Sequence, residues 1–154
     1  MSETGHPFWE EFQQGRPPSP AAELLGWKAL EAEPGSGRVR MQFEAKREFT
    51  NRNGHVQGGF VTAMLDYCLA PAAATILPSN GRVITLEIKA NFLRPAAVGI
   101  LLGEGRVVQR TRSVAFTEAE LRDSTGNLVA TGTATILLIV PRSHGKEPEG
   151  EGRV

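Results

Sequence analysis

The stretch GGFVTAMLDYCLAPAAATIL, residues 58–77, decides which folds are open to this chain. It is rich in Ala, Leu and Met and is too long for an ordinary strand, so it predicts a helix of about five turns. Because apolar residues fall on nearly every face, the helix is expected to be buried rather than to lie on the surface. Pro71 should kink it or weaken its second half, and Pro78, Asn80 and Gly81 should end it.

Both flanks of this helix carry strand patterns. Residues 84–92 alternate between apolar and polar side chains, a period of two that is typical of a strand. Residues 24–45 hold two apolar runs around a turn-like PGSG, which predicts a hairpin, and a polar loop at 46–57 leads into the helix. Further strands are expected at 98–109, 113–122 and 128–140, with turn residues at 123–127. The order of hairpin, long helix and antiparallel meander predicts an α+β domain.

The length of 154 residues suits one domain with a real hydrophobic core. Residues 1–22 are expected to form an N-terminal helix at PFWEEFQQ (7–14) and a stiff linker made by Gly15, Pro17, Pro18 and Pro20. Residues 23–140 are assigned to the domain itself. The tail at 141–154 is full of Gly, Pro and charge, so it is expected to be disordered.

The composition argues against several classes of function. Lys plus Arg and Asp plus Glu both number 17, so the formal net charge is zero, which disfavours nucleic-acid binding. The single cysteine, Cys68, allows no intramolecular disulfide and is interpreted as a small buried hydrophobe. The three histidines are scattered and no cysteine pair exists, so no metal site is expected. Neither a secretory signal nor a membrane span is predicted, and the expected location is the cytoplasm.

Asp66 is the only charged residue between His55 and Arg82, and it lies in the middle of the apolar helix. A lone carboxylate in such surroundings is costly unless it is paired, which indicates either a catalytic role or a structural hydrogen bond. Gly58 and Gly59 open the helix, where free N–H groups and the helix dipole suit a developing oxyanion.

The spacing of Gly58 and Asp66 limits how they could act together. Eight residues of helix separate them by about 12 Å, whereas an acid or base acts within about 3 Å of its target. One copy of the helix cannot easily apply both groups to one carbonyl. If both act, the site combines Gly58 of one chain with Asp66 of another, which predicts a homodimer.

The stretch NRNGHVQGGFVTAMLD, residues 51–66, resembles the signature of hotdog-fold thioesterases of the phenylacetate-degradation (PaaI-like) type. Five residues fall in register with the Asn, the Gly, the paired glycines and the Asp of that family: Asn51, Gly54, Gly58, Gly59 and Asp66. The resemblance continues through TLEIKANFLRPA (85–96) and DSTGNLVATGTAT (123–135), and it covers about residues 24–139. One departure is Gln57, which stands where the family has a His.

This resemblance implies a hotdog fold, in which an antiparallel β-sheet wraps around one long central α-helix and the active sites lie across a dimer interface. It implies hydrolysis of an acyl- or aryl-coenzyme A thioester to the free acid and coenzyme A, with no cofactor. The N–H of Gly58 would polarise the carbonyl, and Asp66 of the partner chain would act as base or nucleophile. Thr85 would help to position water, and Asn51 would orient the thioester or its water.

Further residues are expected to contact the substrate and a second copy of the chain. The acyl group is expected to lie in an apolar pocket formed by Phe60, Met64 and Tyr67, beside Gly59 and His55. Coenzyme A carries phosphates, for which the candidate cations near strand ends are Arg94, Arg110 and Arg112. The sheets of two chains are expected to join edge to edge as a homodimer, and two dimers to form a homotetramer.

Several of these residues also have a plainer explanation. Gln57 replaces the family His and cannot titrate, so the resemblance does not decide the substrate class. His55 suits a surface loop, Asn51 could brace its own loop, and Thr85 is an ordinary strand residue. Each arginine could be a solvated charge. Two rival functions are another hotdog enzyme, such as an enoyl-CoA hydratase, and a non-catalytic acyl-CoA binding protein.

Overall fold

Residue 12 and residues 14–141 are described in the computed structural model of the protein. The predicted helix at 7–14 and the predicted tail at 141–154 therefore lie almost wholly outside the described residues. The elements follow one another as helix α1 (Pro20–Leu24), strands β1 (Lys28–Ala32) and β2 (Arg38–Ala45), a 3-10 helix (Arg47–Phe49), helix α2 (Gly58–Ala74), and strands β3 (Arg82–Phe92), β4 (Gly99–Arg110), β5 (Val114–Asp123) and β6 (Leu128–Ile139).

The six strands form one antiparallel sheet in the order β1-β2-β4-β5-β6-β3. β1 and β2 pair as the hairpin that was predicted within 24–45, and β4, β5 and β6 form the predicted meander. β3 pairs with β6 at the far side, so β1 and β3 are the two edges of the sheet within the described chain. The predicted α+β arrangement of one sheet and one long helix is confirmed.

Helix α2 packs one of its faces against the sheet. Residues spaced three or four apart are buried there: Val61, Met64, Leu65, Cys68 and Leu69. The opposite face is only half-buried and holds Thr62, Ala63, Asp66, Tyr67 and Ala70. The expected burial of the helix is found on the face against the sheet and around the last turn, where Pro71, Ala72, Ala73 and Ala74 are all buried.

Two glycines of β4 allow the helix and the sheet to approach closely. A Cβ atom at Gly103 would overlap the sulfur of Cys68, and a Cβ atom at Gly105 would overlap the backbone carbonyl of Cys68. Cys68 is fully buried, as predicted, and burial raises the pKa of its thiol. The helix thus lies at a distance from β4 that only glycine permits.

Helix α2 ends at Ala74, earlier than the predicted end at residue 77. The hydroxyl of Thr75 donates to the Ala72 carbonyl and accepts from the Gly37 N–H, both at 2.8 Å, so the β1–β2 turn closes this end of the helix. Pro71 lies inside the helix, which continues past it for another turn. No helix in the described part of the chain is long and apolar enough to cross a membrane.

The folded core begins before residue 23. Ser19 caps helix α1 by accepting from the Ala22 N–H at 3.2 Å, and Pro20 occupies the first turn, so the expected linker runs into a short helix. Ala22 is completely buried, and the Leu25 carbonyl accepts from the Glu44 N–H of β2 at 3.0 Å. The residues just before 23 thus belong to the same core as the sheet.

The turn between β5 and β6 is built around Asp123, as the residues at 123–127 predict. Its carboxylate accepts from the N–H and the hydroxyl of Thr125 at 3.0 and 2.8 Å. It also accepts from the backbone N–H and the side-chain amide of Asn127 at 2.9 and 3.1 Å. These hydrogen bonds, with those from Thr125 first, lower the pKa of Asp123 to about 2. The turn helps to fix the register of β5 against β6.

Gly105→Ala is expected to lower the free energy of unfolding by about 1–3 kcal/mol, because the added methyl group forces the helix and the sheet apart. The matched control is Gly59→Ala, because a Cβ atom there would meet nothing within 4 Å and alanine is the better helix former. Urea unfolding followed by circular dichroism measures both variants. An unchanged midpoint for Gly105→Ala would contradict the tight contact with Cys68.

Candidate active site

The first turn of helix α2 presents two free amides. The loop before it is anchored where the Gln57 N–H donates to the Phe49 carbonyl at 2.8 Å. Gln57 is the N-cap residue, but its side chain makes no capping hydrogen bond. The N–H groups of Gly58 and Gly59 donate to no described residue. They can therefore meet an anion or a carbonyl oxygen at the positive end of the helix dipole.

Asp66 lies on the half-buried face of helix α2 and not in the apolar core. The Thr85 hydroxyl on β3 donates to Asp66 Oδ1 at 2.8 Å, which holds the carboxylate in one orientation. The other oxygen, Oδ2, has no hydrogen-bond partner among the described residues. The sequence pointed to both residues, but it gave Thr85 a role toward water and did not predict that the two side chains contact each other.

A β-bulge in β3 turns Thr85 toward the helix. Thr85 pairs with Ile136 of β6 and Glu87 pairs with Thr135, so Leu86 between them has no pairing partner in β6. Without the bulge, Thr85 and Ile88 would point to opposite faces of the sheet, whereas here Thr85 bonds to the helix and Ile88 packs against the core. The strict alternation predicted over 84–92 is therefore wrong, because a period-two pattern contains no signal for the extra residue.

Gly58 and Asp66 contact opposite parts of β3. A Cβ atom on Gly58 would lie 3.1 Å from the ring of Phe92, the last residue of the strand. Asp66 instead bonds to Thr85, near the start of the strand. The helical rise between Gly58 and Asp66 amounts to about 12 Å. One chain therefore does not bring the predicted oxyanion donor and the predicted base to one carbonyl.

The polar residues around the helix N-terminus have different roles. Asn51 Oδ1 accepts from the N–H groups of Asn53 and His55 at 2.9 and 3.3 Å, so Asn51 braces its loop. The side chains of His55 and Gln57 are exposed and bond to no described residue. Gln57 directly precedes Gly58 and is the N-cap residue of helix α2. The described residues include no group of three or more His, Cys, Asp or Glu that could hold a metal ion.

The three residues expected to surround an acyl group each make other contacts within the described chain. Met64 has no exposed surface and packs in the core, which differs from its predicted place. Phe60 stacks on Phe49 with ring centroids 4.2 Å apart. The Tyr67 hydroxyl forms a hydrogen bond with Ser19 at 2.5 Å. All three side chains are engaged in holding the fold together.

The arginines predicted to meet coenzyme A lie at two ends of the molecule. Arg94 is exposed in the loop after β3, and the backbone of this loop is hydrogen-bonded to the loop that precedes helix α2. Arg110 donates to the Ile76 carbonyl at 3.2 Å, beyond the other end of the helix, and Arg112 is exposed in the turn that follows β4. A helix of about 25 Å separates the two groups.

Known proteins similar to this chain include thioesterases and candidate esterases. A family model described as the thioesterase superfamily matches residues 53–130. A Ralstonia eutropha structure, described as a candidate thioesterase related to phenylacetic acid degradation, is 35% identical, with a TM-score of 0.77 over 84% of this chain and 98% of that one. A thioesterase family protein of Silicibacter pomeroyi is 26% identical, with a TM-score of 0.77 over 87% and 99%. A candidate esterase of Saccharolobus solfataricus is 35% identical over 94 residues, which make up 61% of this chain and 66%, just under two thirds, of that protein.

Thr85→Val is expected to lower kcat for thioester hydrolysis on the order of 10²-fold, the cost of misplacing a reacting group by about 1 Å. Valine keeps the shape of threonine but removes the donor to Asp66. Thr85→Ser keeps the hydroxyl and is expected to retain most of the turnover, with KM little changed in both variants. Steady-state kinetics and thermal midpoints on matched preparations check this. A normal kcat in a folded Thr85→Val would mean that the bond is only structural.

Proposed function

We propose that this chain, which belongs to the thioesterase superfamily and has the hotdog fold, is a thioester hydrolase. Its proposed reaction converts an acyl- or aryl-coenzyme A thioester to the free acid and coenzyme A. The observation that carries the proposal is the Asp66 carboxylate, which Thr85 holds on the open face of helix α2. Thr85 fixes one carboxylate oxygen, and the other has no partner among the described residues, an arrangement that suits a general base or a nucleophile.

Asp66 is proposed to act either as a general base or as a nucleophile. As a base it takes a proton from water, and the hydroxide attacks the thioester carbon. The resulting oxyanion accepts a hydrogen bond from the Gly58 N–H. The carbonyl then re-forms, the C–S bond breaks, and the leaving thiolate takes up the proton that Asp66 had removed from water. As a nucleophile, Asp66 attacks the carbon directly, the C–S bond breaks and the thiolate leaves, and water then cleaves the mixed anhydride, which releases the acid, restores the carboxylate and supplies the proton for the thiolate. Thr85 serves both routes because it orients the carboxylate.

The two rival functions fit the chain less well. A hydratase of the same fold would combine an Asp with a His or Glu in a different helix motif, and helix α2 carries no histidine and no second carboxylate. A protein that only binds acyl-coenzyme A would gain nothing from a carboxylate on an otherwise uncharged helix. Membership of a family of hydrolases favours hydrolysis over both.

The site is proposed to be completed by a second copy of the chain. Strand β3 is open on the side away from β6, and Ile84 and Leu86 on it are 49% and 57% exposed. A long uncovered edge of this kind is a template for another strand. Antiparallel pairing of two β3 strands about a two-fold axis would set the Phe92 end of one beside the start of the other. That pairing would bring Asp66 of the partner subunit toward Gly58.

The phosphates of coenzyme A are proposed to meet Arg94. Its guanidinium is exposed, has no partner among the described residues and lies at the Gly58 end of the helix. Arg110 and Arg112 lie at the other end, which the antiparallel dimer would turn toward Gly58 of the partner subunit. The reaction as proposed needs water and no cofactor. Assembly into a homotetramer and a cytoplasmic location stay predictions from the sequence.

Asp66→Asn is expected to lower kcat by on the order of 10²–10⁴-fold, the usual cost of losing a general base. The amide has nearly the same shape and can still accept from Thr85, so the thermal midpoint should be equal or higher. Binding of a non-hydrolysable thioether analogue should change little. Released thiol, analogue affinity and melting are measured on one preparation. A kcat near that of the wild type would refute the catalytic role of Asp66.

The wild-type protein is expected to sediment as a dimer or larger, and Leu86→Lys is expected to shift it toward monomer with a parallel loss of activity. Lysine on a free edge strand opposes pairing, and the two-fold axis repeats the charge. The control is Leu24→Lys on helix α1, which lies on the β2 side of the sheet and is 52% exposed. A wild-type monomer with full activity would exclude the two-chain site.

A further inference from the structure

Phe92 lies where the proposed oxyanion donor meets the sheet. It is the last residue of β3, and its pairing partner Ala130 is fully buried, so the ring lies on the helix side of the sheet. The ring atoms Cζ, Cε2 and Cε1 lie 3.1, 3.4 and 3.5 Å from the position of a Cβ atom on Gly58. The tip of the ring therefore points at Gly58. Phe92 is nevertheless 55% exposed, so much of the ring surface is open.

The ring borders the space that a thioester carbonyl needs. An oxyanion lies about 2.7–3.1 Å from its donor. A carbonyl oxygen bonded to the Gly58 N–H thus places the carbonyl carbon, and the atoms attached to it, within van der Waals reach of Phe92. The ring tip lies so close to Gly58 that a Cβ atom would crowd it, so the ring forms one wall of the space beside the Gly58 N–H.

The surroundings of Phe92 suit the acyl group rather than the thiol arm. Ala90 and Ile88 continue the same side of β3, and both are apolar, half-buried and packed against the core. An acyl chain matches this apolar wall, whereas the pantetheine arm is polar and leads to the phosphates. Phe92 is an aromatic residue beside Gly58 that keeps a large exposed surface.

We infer, on the basis of the proposed function, that Phe92 is a specificity-determining residue that limits branching at the carbon next to the thioester. An acyl group whose carbon next to the carbonyl is a CH₂ group fits past the tip of the ring. An acyl group with a branched carbon there meets the ring while its carbonyl is bonded to Gly58. The inference thus narrows the proposed substrates to acyl-coenzyme A thioesters with an unbranched α-carbon, which leaves out those with a ring attached directly to the carbonyl.

Butyryl-coenzyme A and isobutyryl-coenzyme A test the inference, because these isomers have the same atoms and differ only in branching. The wild type is expected to favour the butyryl isomer in kcat/KM by on the order of 10-fold or more, as one misplaced carbon does in a tight pocket. Phe92→Ala is expected to bring the ratio close to one by raising kcat/KM for isobutyryl-coenzyme A. Phe92→Leu should shift the ratio less, in the same direction. Misfolding cannot produce such a gain.

Leu93→Ala is the matched control, because it removes a neighbouring apolar side chain of similar exposure that is not among the atoms nearest to Gly58. It should leave the isomer ratio unchanged. The inference is overturned if a folded Phe92→Ala keeps the wild-type ratio or changes both isomers equally, and the proposed function then stands. It is overturned as well if the wild type favours the branched isomer. If the wild type hydrolyses no coenzyme A thioester at all, both the proposed function and this inference are wrong.

Discussion

The close contact between helix α2 and strand β4 is the constraint on which the other contacts of the helix depend. Gly103 and Gly105 admit Cys68 to a distance that no other residue type allows. Because the same helix carries Gly58 at its start and Asp66 at its middle, this contact sets the distance of both residues from the sheet. Packed cores transmit such displacements, so one added methyl group at β4 acts on the site as well as on stability.

Strand β3 links the chemistry to the assembly. It orients the Asp66 carboxylate through Thr85, it limits the space beside Gly58 through Phe92, and it leaves one edge open to another chain. The bulge at Leu86 lets one strand contact both Asp66 and Gly58, since it turns Thr85 and Phe92 toward the same side of the sheet. Under the proposed function, changes at different points of this strand act on turnover, on selectivity or on the oligomeric state.

Hydrophobic period and segment length were enough to predict the hairpin, the long helix and the meander. The predicted helix end lies beyond the observed one at Ala74. The Thr75 hydroxyl closes the helix by accepting from the Gly37 N–H, and a contact between residues so far apart in sequence leaves no local pattern. Asp66 was recognisable as a lone charge among apolar residues. Met64 was misplaced because the sequence does not say which side of the helix the sheet covers. Phe92 was missed because an apolar residue at the end of an alternating strand looks like part of the core.

Mixing two inactive variants tests the two-chain site most directly. Gly58→Pro removes an N–H at the first helical position, where the φ angle of proline suits a helix, and Gln57 (φ −61°, ψ 136°) already has the extended backbone that precedes proline. The Cβ atom of the proline lies 3.1 Å from the Phe92 ring, which has to shift by a few tenths of an ångström. Asp66→Asn removes the carboxylate. If Gly58 and Asp66 act from different chains, the co-assembled variants regain about a quarter of the wild-type activity, because half of the dimers are mixed and each mixed dimer holds one intact site. If both groups act from the same chain, the mixture stays as inactive as either variant alone.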